Sequence, residues 1–100
     1  MRPHDVATAT AQELRELLET LNRSVEERDD EVTERAAHTI KSSSRILAAA
    51  ALTDVAAETE EAAMAADRRR IEAGARRLGE LIPLMLDEID AFLKTVHESN

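Results

Sequence analysis

One histidine in the sequence has surroundings that could support chemistry. His38 lies in the middle of a stretch whose apolar residues recur at helical spacing, whereas His4 and His97 lie near the two ends and are predicted to be ordinary exposed residues. Successive residues on a helix are about 100° apart, so His38 lies about 160° from both Ala36 and Ile40. Because those two residues belong to the inward-facing stripe, the imidazole is predicted to point away from the core.

Six polar residues share the exposed face of this predicted helix with His38. They lie within about 60° of its direction, and they are Glu31, Glu34, Arg35, Lys41, Ser42 and Arg45. A neutral imidazole is a good nucleophile near pH 7, since its reference pKa is about 6.5. An imidazole in this position could attack a phosphoryl group that another protein holds.

The neighbours of His38 have predicted roles in such a transfer. Lys41, one turn further along, could neutralise charge on the transferring phosphoryl group. Arg45 could assist or bind a carboxylate of the partner, although a plain solvated surface position explains it equally well. Ser42 is small enough to let another protein reach the imidazole. Glu34 and Arg35 complete the predicted partner-binding surface.

The apolar spacing predicts four helices that hold this face in place. They run from about Thr10 to Arg28, from Glu31 to Leu47, from Leu52 to Ala66 and from Arg68 to His97. The connections are only a few residues long, so we expect an all-α fold, an antiparallel up-down-up-down four-helix bundle. Residues 1–9 are predicted to form a flexible N-terminal segment, and residues 10–98 the bundle domain.

Composition narrows the classes of function. Two glycines and two prolines in 100 residues disfavour an all-β architecture, and without cysteine there is no disulfide, thiol nucleophile or thiolate metal site. A formal net charge of −8 disfavours non-specific binding to nucleic acid. The longest apolar run, Ile46 to Leu52, is far shorter than the ~20 residues that span a bilayer. We therefore expect a cytoplasmic domain that binds neither nucleic acid nor membrane.

The segment around His38 resembles the signature of histidine-containing phosphotransfer (HPt) domains. Residues 37–44 are AHTIKSSS, and the family pattern is roughly A-H-x-L-K-G/S-S/A-S. The resemblance covers most of the chain, because the turn at residues 29–30 and the long last helix lie where the family has them. Two positions depart from the pattern. Ser42 replaces the more common glycine, and Ala48 stands where a glycine usually ends the helix, which leaves the path of that turn open.

The resemblance implies a function and a set of partners. It implies that His38 accepts a phosphoryl group through Nε2, and that Lys41 assists the transfer, in a multistep His–Asp phosphorelay. The partners would be response-regulator receiver domains, with a hybrid histidine kinase as a further candidate. The Mg²⁺ used in transfer would belong to the receiver, and the chain itself would hold no cofactor. It would be a phosphocarrier without an ATP site of its own, rather than a stand-alone kinase or hydrolase, and we expect a monomer.

Other functions stay open at this point. The main alternative is a helical adaptor that binds a partner without being phosphorylated. A metal site at Glu34 and His38 is disfavoured, because a di-metal bundle needs inward carboxylates together with two Glu-x-x-His motifs. The arginines that begin the last predicted helix are interpreted as part of a solvated face. Four acidic residues are expected to balance them on that face: Glu58, Glu60, Glu61 and Glu72.

Overall fold

The chain folds into four α-helices. The computed structural model describes residues 3–98, and the side chains of residues 5–96, so the side chains of His4 and His97 lie outside it. The helices are α1 (Pro3–Glu26), α2 (Asp30–Ile46), α3 (Ala50–Met64) and α4 (Arg68–Glu98), and residues 3–98 contain no strand. In the same residues, no helix combines the length and the apolar character needed to cross a membrane. The predicted all-α class is confirmed.

The first helix is longer than the spacing of its large apolar residues predicts. α1 begins at Pro3, so the predicted helix start at Thr10 is wrong. Residues 3–9 belong to this helix and not to a separate flexible segment, while residues 1–2 lie outside the described part. Proline suits the first turn of a helix, where its missing N–H costs nothing. Ala7 and Thr10 are buried, so this turn packs through small side chains that give little signal of a core face in the sequence.

Each helix packs against two neighbours, and the core lies between all four. Both α1 and α3 contact α2 and α4, whereas no Cα atom of α2 lies within 8 Å of one in α4, and these two helices meet through the ion pair between Asp30 and Arg68. The described part of the chain measures 49 × 21 × 21 Å. Burial of each large apolar side chain contributes about 1.5–3 kcal/mol. The largest of these, all fully buried, are Leu14, Leu21, Ile40, Ile71, Leu78 and Ile82.

The three connections between the helices share one backbone geometry. Each contains a residue with positive φ, namely Arg28 (58°), Ala48 (55°) and Ala66 (53°). The N–H of that residue donates to the carbonyl three residues earlier, and the next N–H donates to the carbonyl five residues earlier. This is the Schellman arrangement that ends many helices. Ala48 therefore makes the turn usually formed by glycine, although the left-handed conformation costs an alanine about 1 kcal/mol.

Buried hydroxyl pairs join the helices beside two of these turns. Ser24 Oγ lies 2.7 Å from Thr33 Oγ1, and Ser44 Oγ lies 2.8 Å from Thr53 Oγ1. Each hydroxyl also lies within hydrogen-bond distance of a backbone carbonyl. Because a hydroxyl has a single proton, one member of each pair donates to the other, which donates to its own carbonyl, so no hydroxyl at these positions is left without a partner. Because Thr33 and Ser44 belong to the first and last turns of α2, the two pairs fix both ends of the helix that carries His38.

Two glycines and a proline lie inside α4. A Cβ at Gly74 would overlap Oγ1 of the buried Thr59, so glycine is needed where α3 and α4 approach each other. A Cβ at Gly79 would meet no neighbouring side chain, so close packing does not explain this glycine. Pro83 lies four residues after Gly79. A proline inside a helix crowds the carbonyl four residues before it and has no N–H to donate to that carbonyl, so the carbonyl of Gly79 lacks its usual helical hydrogen bond.

Candidate functional site

His38 projects from the middle of α2 into solvent. Its neighbours Ala37 and Ile40 are fully buried, and Ala36 is nearly so, so this segment of the helix is held against the core. The His38 side chain itself is 59% exposed. The predicted exposure of the imidazole is therefore confirmed. The backbone around it is regular helix, so the ring stands on a rigid support.

A carboxylate on the neighbouring helix holds one side of the imidazole. Oε2 of Glu60, in α3, lies 2.7 Å from Nδ1 of His38. The other carboxylate oxygen, Oε1, accepts a hydrogen bond of 2.6 Å from Nζ of Lys41. The Glu60 side chain is 15% exposed. One mostly buried carboxylate thus bridges the two residues of α2 that the sequence identifies as candidates for the chemistry.

This contact selects the tautomer of the imidazole. An ionised carboxylate has only acceptor oxygens, so the hydrogen bond to Glu60 requires a proton on Nδ1 of His38. In the neutral ring, Nε2 then carries the free lone pair. Since Nδ1 faces Glu60 and the ring is largely exposed, Nε2 is the nitrogen left to react.

Lys41 favours the charged form of Glu60 that this hydrogen bond needs. The hydrogen bond from Lys41 lowers the pKa of the Glu60 carboxyl below its usual value, and partial burial acts in the opposite direction. The hydrogen bond from His38 and the positive charge of Lys41 lower this pKa further. Glu60 is therefore an anion at neutral pH.

The structure places Lys41 differently from the sequence-based expectation. Its side chain is only 17% exposed and is paired with Glu60, so its ammonium group is turned toward α3. The cation expected to face a transferring phosphoryl group instead neutralises a carboxylate behind the imidazole. Lys41 thus contacts His38 through Glu60.

The other predicted site residues surround His38 on the exposed face of α2. Arg35, Ser42 and Arg45 are exposed, and Glu34 is half-buried. Neither arginine has an ion-pair partner among the described residues, so both guanidinium groups are available to a ligand. The Ser42 hydroxyl donates to the carbonyl of His38 at 3.3 Å, which turns it back onto the helix.

The packing of α3 brings Glu60 to this position. Thr59, the preceding residue, is fully buried on the side of α3 that faces α4, where it packs against Gly74. Its hydroxyl donates to the carbonyl of Val55 at 2.8 Å and needs no partner in the core. Because successive helix residues are about 100° apart, burial of Thr59 toward α4 turns Glu60 toward α2.

Glu60 is the residue of the candidate site that the sequence does not single out. It was expected to be one of four carboxylates on a solvated face, and that expectation is wrong, because it is mostly buried and bonded to His38 and Lys41. Glu61 does fit the expectation, since it is 72% exposed and lies 3.9 Å from Arg70. The sequence offers one signal for Glu60, which is its position directly after Thr59. A residue next to the inward face of a helix lies at the edge of that face, where it can contact the neighbouring helix.

Comparison with known proteins gives one match. A family model described as Hpt domain matches residues 5–92, which is most of the chain. No curated protein and no solved structure gave a match. The matched range contains α2 with His38, the bridging carboxylate of α3 and the larger part of α4.

Proposed function

Because the chain belongs to the Hpt domain family, we propose that it is a phosphocarrier in a multistep His–Asp phosphorelay. His38 accepts a phosphoryl group on Nε2 from the aspartate of one response-regulator receiver and passes it to another. The observation that carries this proposal is the hydrogen bond between Nδ1 of His38 and Glu60, which leaves Nε2 as the reactive nitrogen of an exposed ring.

The phosphoryl transfer is a displacement at phosphorus in which positive charge develops on the imidazole ring. The lone pair of Nε2 attacks the phosphorus of the aspartyl phosphate, an N–P bond forms, and the bond between phosphorus and the aspartate oxygen breaks. The aspartate leaves as a carboxylate. The ring keeps its proton on Nδ1 and gains positive charge, which the adjacent Glu60 carboxylate stabilises. The reverse reaction with a second receiver returns the electron pair to Nε2.

We assign Lys41 a positioning role in this mechanism. Its ammonium group binds the Glu60 carboxylate and favours its charged form, and Glu60 in turn orients the imidazole. The unpaired guanidinium groups of Arg35 and Arg45 are the cations that can reach phosphoryl oxygens or acidic groups of a docked receiver. Ser42 keeps the approach to the ring open because its side chain is short and folded back.

We also infer that the bundle is antiparallel, with helices running up, down, up and down. Three-residue connections join helices that contact each other, which favours antiparallel neighbours. In that arrangement α2 has one face toward the core and one toward solvent along its whole length, as a docking surface for a receiver requires.

A label-transfer experiment tests the proposal. The protein is mixed with a receiver phosphorylated on its aspartate with ³²P, and the label on each chain is followed. We expect the wild-type chain to gain phosphate that is labile in acid and stable in alkali. His38→Gln should gain none, and the control His97→Gln should gain as much as the wild type. Equal labelling of His38→Gln would refute the proposal.

The same samples distinguish the adaptor alternative. A receiver that binds the wild-type chain and His38→Gln equally, without labelling either, would identify a protein-interaction adaptor. No contact in the structure favours that function specifically, whereas the bridged His38–Glu60–Lys41 arrangement favours phosphoryl transfer.

A further inference from the structure

The charges of α4 are separated into two blocks of opposite sign. Residues 68–79 contain five arginines and one glutamate, for a net charge of +4. Residues 80–98 contain five acidic residues and one lysine, for a net charge of −4. This order opposes the helix dipole, which favours acidic residues at the N-terminal end and basic ones at the C-terminal end. The stability of the helix itself therefore does not explain it.

Contacts within the chain use only part of this charge. Arg68 and Arg70 are paired with acidic residues of α2 and α3. Arg69, Arg76 and Asp87 are exposed and form no ion pair within the described part of the chain. Both signs of charge are thus available to a partner on the outer side of α4.

These free charges lie on one line of the helix together with small and apolar residues. The outer line of α4 is defined by the exposed residues Arg69, Ala73, Arg76, Glu80, Leu84, Asp87 and Ala91. They recur at steps of three and four, which places them on one face, opposite the buried stripe of Ile71, Leu78 and Ile82. Leu84 lies near the junction of the two charge blocks and is 60% exposed.

We infer that the outer line of α4 is a contact surface between two copies of this chain. The two α4 helices would pack antiparallel about a twofold axis near residue 82, so that the +4 block of each copy faces the −4 block of the other. Arg76 would then face Asp87, and Ala73 would face Ala91, whose small size permits close approach. Leu84 lies two residues from the twofold axis in each copy, so the two Leu84 residues would be about 6 Å apart along the direction of the helices.

The alternatives for the occupant fit less well. A parallel pair of α4 helices would place blocks of like charge together. A partner with a uniformly charged surface would be repelled by one of the two blocks. A second copy related by a twofold axis places its negative block against the positive block of the first copy, and its positive block against the negative one. An isologous interface of this kind is complementary to itself.

This association goes beyond the proposed function and would extend it. Because the backbone of α2 is separated from that of α4 by α1 and α3, and His38 is exposed, the two His38 side chains would lie away from the α4 interface and stay accessible. Such a dimer could engage two receivers at once. A single helix pair buries less than the roughly 1,200 Å² typical of stable complexes, so the association would be weak and reversible. The monomer expected in the sequence analysis is the species that dilute solutions should contain.

Sedimentation equilibrium tests the inference without any phosphoryl transfer. At low salt, with protein concentrations up to about 1 mM, we expect the weight-average mass to rise above the monomer mass of 11.1 kDa. Addition of NaCl to about 0.5 M should lower it again, since the ion pairs are exposed. A constant mass of 11.1 kDa at every concentration would overturn the inference.

Charge exchange identifies the interface. Arg76→Asp and Asp87→Arg should each weaken association at least tenfold, and the double variant should restore it because the two charges are then exchanged on both copies. Leu84→Ser should weaken it as well, whereas Met64→Ser, at an equally exposed apolar residue of α3, should not. If none of the substitutions at Arg76, Asp87 and Leu84 changes the association constant, the α4 interface is refuted. His38→Gln should associate like the wild type, so failure here is distinct from failure of the phosphocarrier proposal.

Discussion

Replacement of Glu60 by glutamine should slow phosphoryl transfer about tenfold. Glutamine keeps the size of the side chain and can still accept a hydrogen bond from Nδ1 of His38, but it carries no negative charge. A hydrogen bond to a charged group contributes about 1.5–3 kcal/mol. Because the ring is 59% exposed, solvent screens part of this contribution, and we take about 1.4 kcal/mol, which corresponds to a factor of ten in rate.

The assay is the single-turnover transfer of label from a phosphorylated receiver, with Glu61→Gln as the matched control. Glu61 is the next residue, is 72% exposed and has no contact with His38, so its variant should transfer at the wild-type rate. Nitrogen NMR of the imidazole supplies a second readout. Wild-type His38 should show a protonated Nδ1 in the neutral ring, and Glu60→Gln should shift toward the other tautomer. An unchanged rate and an unchanged tautomer in Glu60→Gln would refute the reasoning.

The same variant should alter the dependence of stability on pH. The pKa of Glu60 is lowered from its usual 4.5 in the folded protein. The charged carboxylate therefore stabilises the fold above that value, and the stabilisation is lost as the pH falls through the lower folded-state pKa. The difference in unfolding free energy between the wild type and Glu60→Gln should therefore shrink as the pH falls below the usual carboxyl pKa of 4.5. A difference that does not shrink in this acid range would contradict the assignment.

Three further predictions concern access, turn geometry and packing. Ser42→Phe should abolish transfer by blocking the approach to the imidazole while the helix content, measured by circular dichroism, stays unchanged; normal transfer would mean that the receiver docks elsewhere. Ala48→Gly should raise the free energy of unfolding by about 0.5–1 kcal/mol, because glycine adopts positive φ without strain; the control Ala57→Gly, in the middle of α3, should lower it. Gly74→Ala should destabilise the fold by about 1–3 kcal/mol through overlap at the α3–α4 contact. Gly79→Ala should be neutral or stabilising in the same denaturant titration, since its Cβ meets no side chain.

The helices could be predicted well where large apolar residues recur, and less well where the packing side chains are small. Leu14 and Leu21 mark the inner face of α1 by their spacing, and both are fully buried. The first two turns of α1 pack through Ala7 and Thr10, whose small side chains bury little apolar surface, so the start at Pro3 gives only a weak hydrophobic signal in the sequence. Helix type follows from local spacing, but helix ends depend on contacts with other elements.

The candidate site was predictable only on the helix that carries it. The position of His38 relative to the buried Ile40 fixes the direction of the imidazole from sequence alone. Glu60 is 22 residues away, and its approach to the ring depends on how closely α3 packs. That packing rests on Gly74, where no side chain separates α3 from α4. Relations between helices of this kind are set by side-chain volumes across the core, which a periodic pattern in one helix does not contain.

Because α2 is a regular helix, a partner has few structural differences by which to distinguish the phosphorylated chain from the unphosphorylated one. Both ends of this helix are anchored by buried hydroxyls, and it contains no hinge between them. A phosphoryl group on Nε2 carries about two negative charges at pH 7, which the positive charge gained by the ring offsets in part, while the backbone of α2 keeps its course. The two states would then share one shape and differ in electric field. Receivers would have to sense that field, and the pace of relay would be set by molecular encounter and not by refolding of the carrier.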